Sequence, residues 1–157
     1  MVEWINELLK NDILIFTIIS NIVAQSIKVF LGYMRTKRFD WRLAVSTGGN
    51  PSSHTSSVTT LTVLLGAKYG LNSPYFTISF IFGSIVVIDA LGVRREVGEH
   101  SKTMNEIFFE TALGKRIGEI VDIKKFKELV GHTGSEVFAG FILGILIAII
   151  DILLFPK

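Results

Sequence analysis

Apolar residues dominate four stretches of this chain, 13–34, 53–69, 75–91 and 136–155, each near the ~20 residues that cross a bilayer as a helix. The first is mostly Ile, Val, Leu and Phe, but Asn21, Gln25, Ser26 and Lys28 interrupt it. Such residues are expensive against lipid, so they predict a face turned toward other helices. The second is rich in Ser and Thr, whose hydroxyls bond back to their own helix and are tolerated in a membrane. The third is plain Phe, Ile and Val around Gly83 and Ser84, after a short uncharged turn at Asn72, Ser73 and Pro74. The last carries Gly140 and Gly144, a small-xxx-small pair that permits close helix contact.

Between the third and fourth stretches lies a polar segment, 96–131. Met104, Ile107, Phe108, Ile117, Ile120 and Val121 recur within it at helical spacing. They predict one or two amphipathic surface helices, broken near Gly114 or Gly118. Trp4, among polar neighbours in the first eleven residues, reads as an interfacial anchor. The fold expected is therefore all-α: a polytopic helical membrane protein, one domain over 1–157, with about four transmembrane helices plus amphipathic surface helices.

Composition agrees, with 49% hydrophobic residues and a mean hydropathy of +0.51. A net charge of +2 gives no reason to expect a nucleic-acid partner. The distribution of charge says more. Twelve of the 16 Lys and Arg fall in two loops, at 35–42 and 94–127, which lie on one side if there are four spans. The positive-inside rule puts those loops in the cytoplasm and both termini outside, in the inner or plasma membrane. Without cysteine, disulfides and thiolate chemistry are ruled out. The start of the chain is acidic rather than basic and does not read as a cleaved signal peptide.

Three polar groups converge on the cytoplasmic ends of these spans. Lys28 and Arg35 are seven apart, two turns along one helix face. Gly48-Gly49-Asn50-Pro51-Ser52-Ser53-His54 opens the second span, where glycines and helix-start amides favour an anion. His132-Thr133-Gly134-Ser135-Glu136 opens the fourth. Asp89, Arg94 and Arg95 sit at the same depth.

Together they suit a phosphate ester, whose hydrolysis needs a nucleophile, donors for the equatorial oxygens and a proton for the leaving alkoxide. His132 is the candidate nucleophile. Glu136, four residues on, would share a helix face with it and fix its tautomer. His54 is the candidate acid, later the base for water. Lys28, Arg35, Arg94 and Arg95 are candidate clamps on the oxygens, with Ser52 and Ser53 adding donors. Asp89 is a candidate for orienting an arginine.

Each residue also has a plainer reading. Lys28 snorkels, Arg35, Arg94 and Arg95 serve topology alone, His54 caps a helix, and His132 with Glu136 forms a structural pair. His100 with Glu96 and Glu99 superficially suggests metal ligands, but a solvated face is the simpler reading, and no metal site is expected.

The motifs resemble those of the type-2 phosphatidic acid phosphatase and vanadium haloperoxidase superfamily. Its pattern is Lys, six residues, Arg-Pro; then Pro-Ser-Gly-His; then Ser-Arg, five residues, His, three residues, Asp. Here stand Lys28, six residues, Arg35 with Thr36 for the proline; Pro51-Ser52-Ser53-His54; and His132, three residues, Glu136. Phe126 occupies the third-motif arginine position, and Arg94-Arg95 is the candidate replacement.

These departures, with Asp89-x-x-Gly-Val-Arg-Arg and Gly131-His132-Thr133-x-x-Glu136, look like the divergent bacterial and plastid branch of that superfamily. The resemblance implies a lipid phosphate phosphatase in which His54 is the acid and His132 forms a phosphohistidine. It implies no cofactor and no metal, a Mg²⁺ requirement being the alternative. Members of the branch in plants and cyanobacteria are associated with phosphatidylglycerol phosphate, which makes that lipid the first substrate expected. Undecaprenyl pyrophosphate and phosphatidic acid are rivals. A non-catalytic protein that binds or carries anionic lipid is the rival from another class. Superfamily cores usually have six helices, so the 100–130 region, or a second subunit in a homodimer, would complete the frame. Gly140 and Gly144 serve either packing within the subunit or such a dimer.

Overall fold

The computed structural model describes residues 2–45, 48–127 and 130–156. It is all-α, with no strand among the described residues. Helices α1 (Val2–Leu9), α2 (Asp12–Thr36), α3 (Ser53–Tyr69), α4 (Pro74–Leu91), α5 (Val93–Asn105), α6 (Ala112–Gly118) and α7 (Gly134–Leu154) follow in chain order. A 3₁₀ turn spans Trp41–Val45, and a π turn spans Glu106–Glu110. The four apolar stretches thus became α2, α3, α4 and α7, within two residues at each end.

The helix boundaries follow from side-chain caps. Asn11, Ser52, Ser73 and Thr133 each accept an amide from the first turn of α2, α3, α4 and α7. Pro74 fills the first position of α4, where no amide is needed. Trp4 is 78% exposed on α1, as an interfacial side chain would be.

Helix α3 is the centre of the bundle and packs on α2, α4 and α7. Its hydroxyls are spent inside. Ser56 Oγ lies 2.6 Å from Ser20 Oγ of α2, and Thr60 Oγ1 donates to the Gly144 carbonyl of α7 at 3.0 Å. Asn21 of α2 donates to Ser57 Oγ at 3.2 Å, so one polar face of the first span does meet another helix. Gln25 and Ser26 instead line an open groove beside residues 39 and 44.

Gly140 and Gly144 are buried against α3. A Cβ on them would stand 2.4 Å from the Ser52 carbonyl and 2.6 Å from that of Ser56. The pair therefore packs within the chain, and this face is not open to a second copy.

Helices α2, α4 and α7 are long and apolar enough to cross a membrane, the apolar α4 running on through α5 as far as Glu110. Helix α3, with 17 residues, is enclosed by them. Two sequence expectations need correction. Of the two breaks expected in the polar segment, the one near Gly118 is where α6 ends, whereas Gly114 is buried inside α6, where a Cβ would meet the Ile107 carbonyl at 2.2 Å. The earlier break is at Thr111, whose extended backbone ends the π turn and whose side chain caps α6. His132 and Glu136 do not share a helix face, because α7 begins only at Gly134.

Candidate active site

Three helix ends meet where the basic loops are. Ser52 is the N-cap of α3, its hydroxyl accepting from the Thr55 amide at 3.3 Å and the Thr55 hydroxyl at 3.0 Å. That hydroxyl is therefore already used in holding the helix start. Ser53 and His54 are the first two residues of α3, where amides point out of the helix end. Ser53 is 1% exposed and His54 half-buried.

The start of α7 is fastened to both neighbours. The Ser52 amide donates to the Glu136 carbonyl at 3.0 Å, and the His132 amide donates to the Ala90 carbonyl of α4 at 3.1 Å. Gly131 has φ +89° and lies flat on the α5 backbone, with an ideal Cβ only 2.4 Å from the Arg95 nitrogen. Only glycine fits there on both counts.

A capping box then sets Glu136. Thr133 accepts the Glu136 amide at 3.4 Å, and Glu136 Oε2 accepts the Thr133 amide at 3.0 Å. The same Oε2 lies 3.4 Å from His132 Nδ1. The capping box, and not an i,i+4 helix face, brings these two together. A separation of 3.4 Å is an ion-pair distance and long for a hydrogen bond. Among the described residues neither His132 ring nitrogen has a hydrogen-bond partner, although the residue is only 2% exposed.

His54 and His132 come from separate helix ends, yet their ring centres are 6.1 Å apart at an interplanar angle of 62°. One phosphoryl group is large enough to touch both. Lys28, 4% exposed, lies where its charge acts on His54, His132 and Glu136. Gly49, at φ +98°, passes over its stem, where a Cβ would be 3.1 Å from Lys28 Cδ. Arg94 Nε donates to Asp89, which fixes that guanidinium near His54.

Two cavities of about 240 Å³ each meet at Gly49 and Glu136, and His132 lines one of them. Lys28, Arg35, Gly48 and Asn50 line one; Arg95, Glu99, Lys102, His132 and Thr133 line the other. Gly49 and Glu136 belong to both. Burial holds the His132 pKa below the ordinary 6.5, the Glu136 carboxylate opposing this and the Lys28 and His54 charges adding to it. The imidazole is thus kept neutral, as a nucleophile must be. Among the described residues, no group of three or more His, Cys, Asp or Glu is placed to hold a metal.

The structure thus gathers His54, His132, Glu136, Lys28, Arg35, Ser52, Ser53, Asp89, Arg94 and Arg95 at one end of the bundle. Sequence reasoning missed Glu99 and Lys102, which α5 turns toward His132. Their four- and seven-residue spacing from Arg95, which repeats along one helix face, was the available signal. It also missed a buried ionic cluster at the opposite end. There Lys68 of α3 pairs with Asp12 of α2 and, at 2.7 Å, with Asp151 of α7.

A family described as the divergent PAP2 family matches residues 9–147. The chain is 38% identical over 153 residues to the uncharacterized membrane protein YuiD of Bacillus subtilis (strain 168), covering 92% of this chain and 96% of that protein. No solved structure matches. Motifs, helix arrangement and these similarities agree: the chain is a multi-pass membrane protein and belongs to the divergent PAP2 family.

Proposed function

We propose that the protein is a phosphatase for a lipid phosphate monoester, working at the cytoplasmic leaflet through a phosphohistidine on His132. The observation that carries this reading is the pair of imidazoles with ring centres 6.1 Å apart, one of them backed by Glu136 at 3.4 Å.

The steps follow from the chemistry of the groups. Neutral His132, its Nδ1 turned to Glu136, attacks phosphorus through Nε2. The phosphorus–oxygen bond to the lipid alcohol breaks, and protonated His54 gives its proton to the leaving oxygen. Glu136 stabilises the charge that develops on the His132 ring. His54, now neutral, takes a proton from water as the water attacks phosphorus. The phosphorus–nitrogen bond breaks, releasing phosphate and restoring His132. Lys28, Arg35, Arg94 and Arg95, with the first-turn amides of α3, hold the equatorial oxygens. No step calls for a metal. Phosphatidylglycerol phosphate is the first substrate to test.

The test is phosphate release by purified protein from phosphatidylglycerol phosphate, phosphatidic acid and undecaprenyl pyrophosphate, with and without chelator. Release that survives chelation and is lost in His132→Ala supports the reading. Release that is unaffected by His132→Ala, or none from any lipid, contradicts it. Anion binding or transport retained without turnover in the wild type would point instead to a carrier.

A further inference from the structure

His132 stands near the end of a stretch, 119–133, whose described residues form neither helix nor strand. No ladder of hydrogen bonds therefore fixes where its backbone runs. Its ring gives little help. Among the described residues neither ring nitrogen has a hydrogen-bond partner, and the Glu136 carboxylate is 3.4 Å away. The placement of the imidazole depends on what holds the backbone.

Close to the ring, the His132 amide donates to the Ala90 carbonyl at 3.1 Å, and Gly131 lies on the Arg94–Arg95 backbone. A further hold lies upstream. Asn105, the last residue of α5 and 4% exposed, donates from Nδ2 to the Phe126 carbonyl at 3.0 Å. Its Oδ1 accepts the Phe126 amide at 2.9 Å. One side-chain amide thus closes on both backbone groups of one residue, as a neighbouring strand would. The grip needs a donor and an acceptor together, which an ionised Asp lacks and Leu lacks entirely.

The holds at Phe126 and Gly131 sit toward opposite ends of α5. Asn105 and Arg95 are ten residues apart, about 15 Å along the helix axis. Phe126 and Gly131 are five apart, and five residues reach at most about 18 Å. The connection has little slack whatever its path. Releasing Phe126 gives slack to Gly131 and to the next residue, His132.

We infer that Asn105 is a positioning residue for the nucleophile: by gripping the Phe126 backbone it keeps the chain before His132 drawn along α5, and so holds the imidazole against Glu136 and facing His54. The inference rests on the phosphatase reading for the reaction, but not for the placement of the ring.

Asn105→Asp keeps the size and loses the donor; Asn105→Leu loses donor and acceptor. Phe126→Ala is the control, because Asn105 holds that residue by its backbone. The first probe is diethyl pyrocarbonate, applied near neutral pH to the detergent-solubilised full chain, with each histidine read on its own peptide by mass spectrometry. His132 is 2% exposed and reacts slowly in the wild type. It reacts severalfold faster in Asn105→Asp and faster again in Asn105→Leu, while the exposed His100 keeps its wild-type rate throughout. In turnover, kcat falls by up to about 100-fold with KM nearly unchanged, since only the attacking group has moved. The acid limb of kcat/KM moves up toward 6.5 as water reaches the ring, with Glu136, Lys28 and His54 still facing it. Phe126→Ala changes none of these.

Wild-type labelling of His132 and wild-type kcat in both Asn105 variants overturn the inference, as do losses that merely follow the folded fraction read by thermal unfolding. Faster His132 labelling in the variants, with no hydrolysis of any lipid by the wild type, keeps the positioning and removes the phosphatase reading. Hydrolysis by the wild type with unchanged His132 labelling in the variants does the reverse.

Discussion

Glu136 Oε2 accepts the Thr133 amide at 3.0 Å and stands 3.4 Å from His132 Nδ1, so one oxygen both caps a helix and faces an imidazole. The two tasks separate by substitution. In Glu136→Gln the amide oxygen still caps α7, but the negative charge behind His132 is gone. Turnover falls about 10–100-fold with the melting temperature nearly unchanged. Glu136→Ala loses the cap as well, at a cost of about 1 kcal/mol. Steady-state kinetics beside thermal unfolding checks this; equal activity in Glu136→Gln and wild type would remove Glu136 from the mechanism.

The environment of His132 sets a pH limit. Its pKa is held below the ordinary 6.5, first by burial, so the neutral attacking form persists to lower pH than in a free imidazole. The acid limb of kcat/KM that this group controls falls below pH 6.5. Stability follows the same sign: this contribution is fully present above 6.5 and declines as pH falls, because the unfolded chain takes the proton first. His132→Gln removes that part of the pH dependence of unfolding. An acid limb above pH 6.5 would contradict the assignment.

Packing at Gly140 is coupled to the site. A Cβ there would meet the Ser52 carbonyl at 2.4 Å, and the Ser52 amide donates to the Glu136 carbonyl. Gly140→Ala pushes α7 off α3 and destabilises by roughly 1–3 kcal/mol. It also lowers kcat, since the displaced turn carries Glu136. Gly118→Ala, with open space around it, is the control and leaves both quantities within about 0.5 kcal/mol or twofold.

Lys68 holds the other end of the bundle. Asp151 is 0% exposed and lies 2.7 Å from the Lys68 ammonium. Lys68→Met leaves a buried carboxylate uncompensated and destabilises by about 3–5 kcal/mol. Adding Asp151→Leu restores much of that loss. Specific activity per folded molecule stays at the wild-type level in both, because the cluster is remote from the histidines. Unfolding in detergent reads the first effect and active-site titration the second.

Much of this was legible in the residues themselves. Apolar runs placed four helices within two residues, because a span in lipid must be both long and apolar. Ser73-Pro74 marked a helix start through local hydrogen bonding, which needs no tertiary information. The pairing of His132 with Glu136 was expected for the wrong reason, since spacing alone does not distinguish a helix face from a capping box. The Asp12–Lys68–Asp151 cluster was not legible: its members are 56 and 83 residues apart, and only the packing of α2 antiparallel and α7 parallel to α3 brings them together. Glu99 was read with Glu96 and His100 as a solvated face, and it is exposed in the structure; only the cavity it shares with His132 sets it apart, and that depends on tertiary packing.

The central claim is that two imidazoles act on one phosphoryl group, with His132 carrying it between the two steps. Rapid quenching of the His54→Asn variant with lipid labelled in the scissile phosphate tests it most directly, because that variant lacks the base that activates water. The account predicts acid-labile, alkali-stable label on the peptide containing His132, formed more slowly than in wild type and persisting longer. Product release with no label on His132 at any quench time, or label on another residue, would contradict it.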